Sequence, residues 1–141
     1  MDKEYEIVCV EHPEQSVWGI IGQGINEYNA QQAGAENGQI LCFGIQGPDQ
    51  EIAGGVIAQI YWDWLYVDLM WMKEELRGHG YGGRLLTLVE DEARKRGAKH
   101  AFLDTFSFQA PDFYKKHGYQ VFGVLEGFPE GHQRIYLTKQ L

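Results

Sequence analysis

A run of glycines flanked by arginines has the residue types that could most directly do chemistry. Residues 77–83 read Arg-Gly-His-Gly-Tyr-Gly-Gly, and Arg84 follows. Such a turn, placed directly before a helix, leaves backbone N–H groups unpaired at the positive end of the helix dipole. Glycine lets the backbone approach an anion closely, and Arg77 and Arg84 add positive charge. The stretch therefore predicts an anion site, most often for phosphate, although a flexible surface turn would have a similar composition.

Two nucleotide-binding interpretations of this turn can be weighed against the sequence around it. Gly78, Gly80 and Gly83 formally match G-x-G-x-x-G, and Asp104 follows about 20 residues later, where a dinucleotide fold has its ribose-binding acid. This interpretation would make the protein a dehydrogenase. It is disfavoured because the motif follows an antiparallel region, not the first strand of a parallel unit. A nucleoside-triphosphate loop is excluded because no Gly-Lys-Ser/Thr follows the turn.

Apolar patterning predicts the elements that hold the turn in place. Alternating and apolar runs predict seven strands, at residues 5–10, 40–45, 52–62, 64–72, 100–105, 119–125 and 133–137. Apolar residues at helical spacing predict helices from Pro13 to Gly34, over 84–96 and over 109–117. The result is one mixed α/β domain over residues 1–141, with a mostly antiparallel central sheet flanked by helices.

The helix over 84–96 has the clearest pattern. Its apolar side chains share one face, and three acid-to-base pairs at i, i+4 are predicted on the exposed face, namely Glu90–Arg94, Asp91–Lys95 and Glu92–Arg96. Gly97 is predicted to end this helix at its C-terminus.

Two stretches of the sequence together resemble one family. Residues 77–82 resemble the acetyl-CoA pyrophosphate loop of the GNAT superfamily of N-acetyltransferases, whose pattern is Arg/Gln-x-x-Gly-x-Gly/Ala. Residues 110–119, Ala-Pro-Asp-Phe-Tyr-Lys-Lys-His-Gly-Tyr, are similar to that family's second signature. The predicted element order is similar to the family topology over nearly the whole chain. The resemblance implies the GNAT fold and transfer of an acetyl group from acetyl-CoA to a primary amine of a small molecule or peptide, by direct attack in a ternary complex. A non-catalytic acyl-CoA-binding module with the same fold is the alternative.

The resemblance also implies which residues contact acetyl-CoA. Its pantetheine arm hydrogen-bonds the backbone of the strand before the loop, where an N–H group also stabilises the developing oxyanion. Its pyrophosphate meets the backbone of the loop, with Arg77 nearby. The implied contacts are Met70, Trp71, Met72, Arg77, Gly78, His79, Gly80, Tyr81, Gly82, Gly83 and Tyr114. Ser107 is also implied as a cofactor contact, since it stands where the family often has a cofactor-contacting Asn, and a serine there can cap the following helix as well.

Tyr114 aligns with the family's general acid, which gives a proton to the leaving thiolate. The acceptor amine must lose its proton to attack, and family members often use a strand carboxylate acting through water. Asp68 is the candidate base, and strand alternation puts it on the face of Met70 and Met72. A structural ion pair is the other interpretation of Asp68, and Asp104 and Glu126 are weaker candidates for the base.

Charge is distributed unevenly along the chain. Residues 1–76 hold 13 acidic and two basic residues, a net −11, whereas residues 77–141 carry a net +3. In this family the first helical region and the last hairpin loop form the acceptor mouth, here residues 16–37 and 125–133. Both regions hold aromatic side chains and carboxylates, which suit a cationic amine. Acidic residues that only keep the protein soluble are the competing explanation.

Several partner classes are disfavoured by composition. The net charge of −8 argues against a nucleic-acid binder that works by charge alone. No apolar run approaches membrane-spanning length, and the five histidines show no metal-ligand spacing. Two cysteines and an acidic N-terminus predict a cytoplasmic protein with reduced thiols. Four tryptophans and open strand edges allow a homodimer, but nothing in the sequence specifies one.

Overall fold

The strand patterns predicted between residues 40 and 137 all form, and they assemble into one six-stranded sheet. A computed structural model describes residues 4–141 and divides the chain into two compact units, residues 1–36 and 37–141. The predicted mixed α/β fold is confirmed.

The first unit contains one long helix. Helix α1, Gln15–Ala33, ends at Gly34, whose N–H donates to the carbonyl of Ala30 at 2.9 Å and whose φ is 83°. The strand predicted over 5–10 is wrong, because residues 4–10 adopt no strand in the described part of the unit. Alternation indicates only that a segment is compatible with a strand, and a strand also needs a hydrogen-bonded neighbour.

The second unit contains the sheet and two helices. The strands are β1 Gln39–Gln46, β2 Ile52–Tyr61, β3 Trp64–Met72, β4 His100–Phe106, β5 Gln120–Glu126 and β6 Gln133–Gln140. The helices are α2, Tyr81–Lys95, and α3, Pro111–Lys116, and a short 3-10 turn, Glu74–Leu76, precedes α2. The strand order is β1-β2-β3-β4-β6-β5, and every neighbouring pair is antiparallel except β3 with β4.

Helix α2 closes the core of this unit. Its apolar face is buried against residues of β1 to β4 and β6, including Leu65, Leu103 and Leu137. The charged positions of α2 depart from the prediction in two places. Glu92 pairs with Arg96 as predicted, but Asp91 pairs with Arg94 instead of Lys95.

Glu90 is the more consequential departure in α2. The predicted exposed pair with Arg94 is wrong, because Glu90 is 5% exposed and pairs with Lys139 of β6. Periodicity in one helix carries no information about a charged partner on another element.

Candidate active site

The parallel pair β3–β4 comes apart partway along its length. Its pairing covers only Trp64–Tyr66 against His100–Phe102, although β3 continues to Met72 and β4 to Phe106. Beyond that point β3 is paired with β2 on one edge only, so alternate N–H and C=O groups of its last residues face the gap. A free strand edge of this kind can hydrogen-bond an extended amide chain like an added strand.

A cavity of about 750 Å³ occupies this gap. This volume falls within the range of small-molecule and cofactor sites. Its walls come from the end of β3, the glycine turn, the end of β4 and the start of α3. The lining residues are Val67, Asp68, Leu69, Met70, Trp71, Met72, Arg77, Gly78, Gly80, Tyr81, Gly82, Gly83, Asp104, Thr105, Phe108, Gln109, Ala110, Phe113 and Tyr114.

The glycine turn forms one end of the cavity. Gly78 and Gly80 have φ of 79° and 83°, a left-handed conformation that glycine adopts without strain. α2 starts one turn earlier than predicted, at Tyr81 instead of Arg84, and the first helical bond after the turn runs from Arg84 N–H to Gly80 C=O. No side chain caps the helix at Gly80, so the first-turn N–H groups remain available to an anion. Arg77 lies beside the turn, and its Nε donates to the carbonyl of Met72 at 3.4 Å.

A bulge in β3 brings Asp68 to the cavity. Leu69 pairs with Ile57 and Val67 with Ala58, so Asp68 is an extra residue without a partner in β2. The regular alternation assumed for Asp68 is therefore wrong, because an inserted residue changes the parity of the strand. Asp68 is exposed and lines the cavity, and no ion pair engages its carboxylate within the described part of the chain.

Tyr114 lines the cavity and is 9% exposed. Burial, and to a smaller degree the Asp104 carboxylate, raises the pKa of its hydroxyl above 10.0. No side chain among residues 4–141 hydrogen-bonds that hydroxyl. The nearby Tyr119 differs, because its hydroxyl donates to Glu90 Oε2 at 2.8 Å. Of these two buried tyrosines, Tyr114 has the proton that is free for chemistry.

Asp104, which lines the cavity, belongs to a charged cluster that joins β3, β4 and β6, and the other two members, Tyr66 and Arg134, do not line the cavity. Asp104 Oδ1 accepts hydrogen bonds from Arg134 Nε at 2.8 Å and Nη2 at 2.7 Å, and Oδ2 lies 3.5 Å from the hydroxyl of Tyr66. Burial, then the carboxylates of Asp104 and Asp68, raises the pKa of Tyr66. The guanidinium of Arg134 also lies over the rings of Phe106, Phe128 and Tyr136, at 5.2–5.5 Å from their centroids.

Two implied cofactor contacts, His79 and Ser107, and the weaker base candidate Glu126 do not line this cavity. His79 is absent from its lining, although the turn on both sides of it contributes. Ser107 exchanges hydrogen bonds with Gln133 at 2.9 Å and lines a smaller cavity with Glu126 at the β5–β6 hairpin. The predicted cap by Ser107 does not form; Thr105 Oγ1 instead accepts from the N–H of Ala110 at 3.4 Å.

Sequence reasoning missed the partners of the lining residue Asp104. Tyr66 and Arg134 were not singled out, because they meet Asp104 only through strand pairing across 30 or more residues. The missing information was the register of the strands. Alternation within each strand is compatible with Tyr66, Asp104 and Arg134 on one face of the sheet, but it does not say which residues are adjacent. The contribution of residues 16–37 to binding of the acceptor stays a prediction.

Two further observations concern the described residues. Within residues 4–141, no group of three or more His, Cys, Asp or Glu side chains is arranged to hold a metal ion. No helix in that range has the length and apolar character to span a membrane.

Comparison with known proteins gives consistent matches. Residues 6–119 match the family model described as the acetyltransferase (GNAT) family. The chain is 38% identical to blasticidin-S acetyltransferase of Streptomyces morookaense over 96 residues, covering 67% of this chain and 71% of that protein. It is 33% identical to an acetyltransferase of Agrobacterium fabrum over 113 residues, covering 80% and 82%. A crystal structure of an acetyltransferase from Bacillus cereus superposes with a TM-score of 0.85 at 33% identity, covering 95% of this chain and 98% of that one.

Proposed function

Because the chain belongs to the acetyltransferase (GNAT) family and has its mixed α/β fold, we propose that it transfers the acetyl group of acetyl-CoA to a cationic primary amine. The observation that carries the proposal is the free hydroxyl of Tyr114, in a cavity with a glycine turn at one end and carboxylates at the other. A binding module would have no need for an uncommitted, buried proton donor at that position.

The residues of the cavity fit acetyl-CoA as the donor substrate. The glycine turn offers the N–H groups of α2 to the pyrophosphate, and Arg77 adds charge. The unpaired edge of β3 at Met70, Trp71 and Met72 offers N–H and C=O groups to the pantetheine amides. One of these N–H groups stabilises the oxyanion that develops on the thioester carbonyl.

Two residues handle the protons of the proposed reaction. The amine nitrogen attacks the thioester carbonyl, so that a C–N bond forms and the C–S bond breaks. Asp68 accepts the amine proton through water, and Tyr114 donates its proton to the thiolate that leaves. Asp68 suits the base better than Asp104, because Arg134 already donates two hydrogen bonds to Asp104, whereas Asp68 has no ion-pair partner among the described residues.

The charges at the acceptor end support a cationic acceptor. Asp68 and Asp104 line the cavity, and the aromatic side chain of Phe108 lines it as well. Carboxylates and aromatic faces together favour an ammonium group. The relative from Streptomyces is named for acetylation of blasticidin S, so we include that compound in the first acceptor panel, with polyamines and peptide amines.

Replacement of Tyr114 tests the proposal. We expect Tyr114→Phe to lower kcat about tenfold or more, measured as thiol release, with the affinity for acetyl-CoA unchanged by calorimetry. Tyr61→Phe is the control, because it removes a hydroxyl outside the cavity. An unchanged rate for Tyr114→Phe overturns the acid role. Binding of acetyl-CoA without turnover of any amine in the panel favours the non-catalytic module.

The pH profile provides a second check. A raised pKa keeps the proton on Tyr114 to higher pH, so the acid stays in its active form below pH 10.0. We therefore expect no alkaline decline of kcat from this group below that pH. A decline centred near pH 8 that disappears in Tyr114→Phe would contradict the assignment.

A further inference from the structure

The second unit contains a buried carboxylate that the proposed reaction does not use. Glu90, in the middle of α2, is 5% exposed. It accepts hydrogen bonds from Lys139 Nζ at 2.9 and 3.2 Å and from the hydroxyl of Tyr119 at 2.8 Å. The two partners also contact each other, because the Lys139 ammonium lies over the Tyr119 ring, 5.4 Å from its centroid. A buried carboxylate with both oxygens engaged has a fixed position, and here it ties α2 to β6 and to the end of α3.

Tyr119 contacts Tyr114 in two independent ways. The backbone N–H of Tyr119 donates to the carbonyl of Tyr114 at 3.1 Å and closes the last turn of α3 around Gly118, whose φ is 91°. The two rings also meet edge to face, with centroids 5.9 Å apart. A shift of Tyr119 would therefore move both the backbone and the ring of Tyr114.

Helix α2 contacts α3 at a second place. A Cβ at Gly82 would lie 3.3 Å from the ring of Phe113, and one at Gly83 would lie 3.2 Å from His117. The first turn of α2 therefore packs closely on Phe113 and on the C-cap residue His117 of α3, while Glu90, farther along α2, holds Tyr119 just beyond that C-cap. One helix thus carries both the glycine turn expected to bind pyrophosphate and the anchor of the candidate acid.

We propose that Glu90 and Tyr119 are positioning residues that fix the hydroxyl of Tyr114 relative to the glycine turn. Neither residue lines the cavity, so both act through Tyr114 and not on the substrates. Lys139 orients the Glu90 carboxylate through hydrogen bonds to both of its oxygens. The inference rests on the proposed acid role of Tyr114. A displacement of that hydroxyl by a fraction of an ångström would slow proton transfer without weakening acetyl-CoA binding.

A double-mutant cycle tests this inference. Tyr119→Phe removes the hydrogen bond to Glu90 but keeps the ring and the backbone contact. In the wild-type background we expect it to lower kcat about three- to tenfold, with the KM for acetyl-CoA unchanged within about twofold. In a Tyr114→Phe background we expect no further loss, because the hydroxyl being positioned is already gone.

Thr138→Val is the matched control. It removes one part-buried hydroxyl, which donates to the carbonyl of Ala101 at 2.9 Å, next to Lys139 in sequence but apart from Tyr114. We expect an unchanged kcat. If Tyr119→Phe fails to fold, Glu90→Gln, which keeps the side-chain size but removes the negative charge that strengthens both hydrogen bonds, is measured in the same two backgrounds with the same expectation.

The outcomes separate the inference from the proposed function. An equal loss of kcat in both backgrounds overturns the positioning role, as does an unchanged kcat for Tyr119→Phe alone. If Tyr114→Phe leaves kcat unchanged, the acid role itself is overturned, and the positioning role with it. If Tyr114→Phe lowers kcat strongly and Tyr119→Phe lowers it further by the same factor as in wild type, only the positioning inference is overturned.

Discussion

The two ends of the cavity are built in different ways. The glycine turn uses backbone N–H groups from one continuous stretch of seven residues, and only Arg77 contributes a charged side chain. The end proposed for the acceptor depends on side chains: Asp104 lines the cavity, and Tyr66 and Arg134, from two neighbouring strands, contact its carboxylate from outside the lining. The first end depends on local conformation, and the second depends on tertiary pairing.

This difference predicts that the two binding functions can be changed separately. Backbone groups in a turn do not change with most side-chain substitutions, so only a residue that alters φ or fills the space should affect the anion site. A partly buried cluster of charged side chains is sensitive to each member, because removing one leaves its partner uncompensated. The predictions below set one end against the other.

Asp104→Asn is expected to have the largest effect. Asp104 is 15% exposed and has two hydrogen bonds from Arg134, so the substitution leaves a partly buried guanidinium without its counter-charge. We expect a loss of about 2 kcal/mol in acceptor binding, or roughly 30-fold in the acceptor KM. The Kd for acetyl-CoA, measured by calorimetry, should stay within about twofold.

The control for Asp104→Asn is Asp112→Asn. Asp112 is 90% exposed and lies 3.9 Å from Lys115, so its ion pair contributes little. An equal rise of the acceptor KM in both variants, or an equal weakening of acetyl-CoA binding in Asp104→Asn, would contradict the separation of the two ends.

Asp68→Asn should have an intermediate effect. We expect kcat/KM for the acceptor to fall about tenfold near neutral pH, because the amine loses its proton acceptor. The loss should shrink as the pH approaches the amine pKa of about 10.4, where the amine is neutral without help. Asp63→Asn, in the β2–β3 turn outside the cavity, is the comparison. A loss that is the same at every pH would count against Asp68 as base.

The contrast between the ends also explains what the sequence could predict. The glycine turn was located correctly because its conformation depends on neighbouring residues alone. Glu90 was assigned to the exposed face because helical periodicity does not include Lys139, which lies 49 residues away. The alternation assumed at Asp68 was wrong because one extra residue in β3 changes the parity, and a bulge has no composition signal in Val-Asp-Leu.

The charged cluster could not be predicted for a related reason. Asp104 was noted as a candidate, but its partners are set by the register of β4 against β6, which pairs Asp104 with Tyr136 and Phe106 with Arg134. A shift of one residue would turn Arg134 to the other face and remove the ion pair. The fold class follows from patterning, whereas the contacts that tune the acceptor end follow from register.

Gly80→Ala is the sharpest test of the glycine turn and should have the smallest effect. Gly80 has φ of 83° and open space around a would-be Cβ, so the substitution adds strain but no clash. Gly97→Ala is a close match, since Gly97 has φ of 94°, open space and a position after α2, away from the cavity. Each should lower the free energy of unfolding by roughly 1 kcal/mol, measured by urea denaturation.

Only Gly80→Ala should weaken acetyl-CoA binding, by about fivefold, because relaxing the strain turns the first N–H groups of α2 away from the anion. The acceptor KM should be unaffected in both variants. If Gly97→Ala weakened acetyl-CoA binding as much as Gly80→Ala did, the effect would reflect general destabilisation of α2, and the turn would have no specific part in binding. Equal affinities for wild type and Gly80→Ala would show that side chains, Arg77 first among them, and not the left-handed backbone, determine the strength of the anion site.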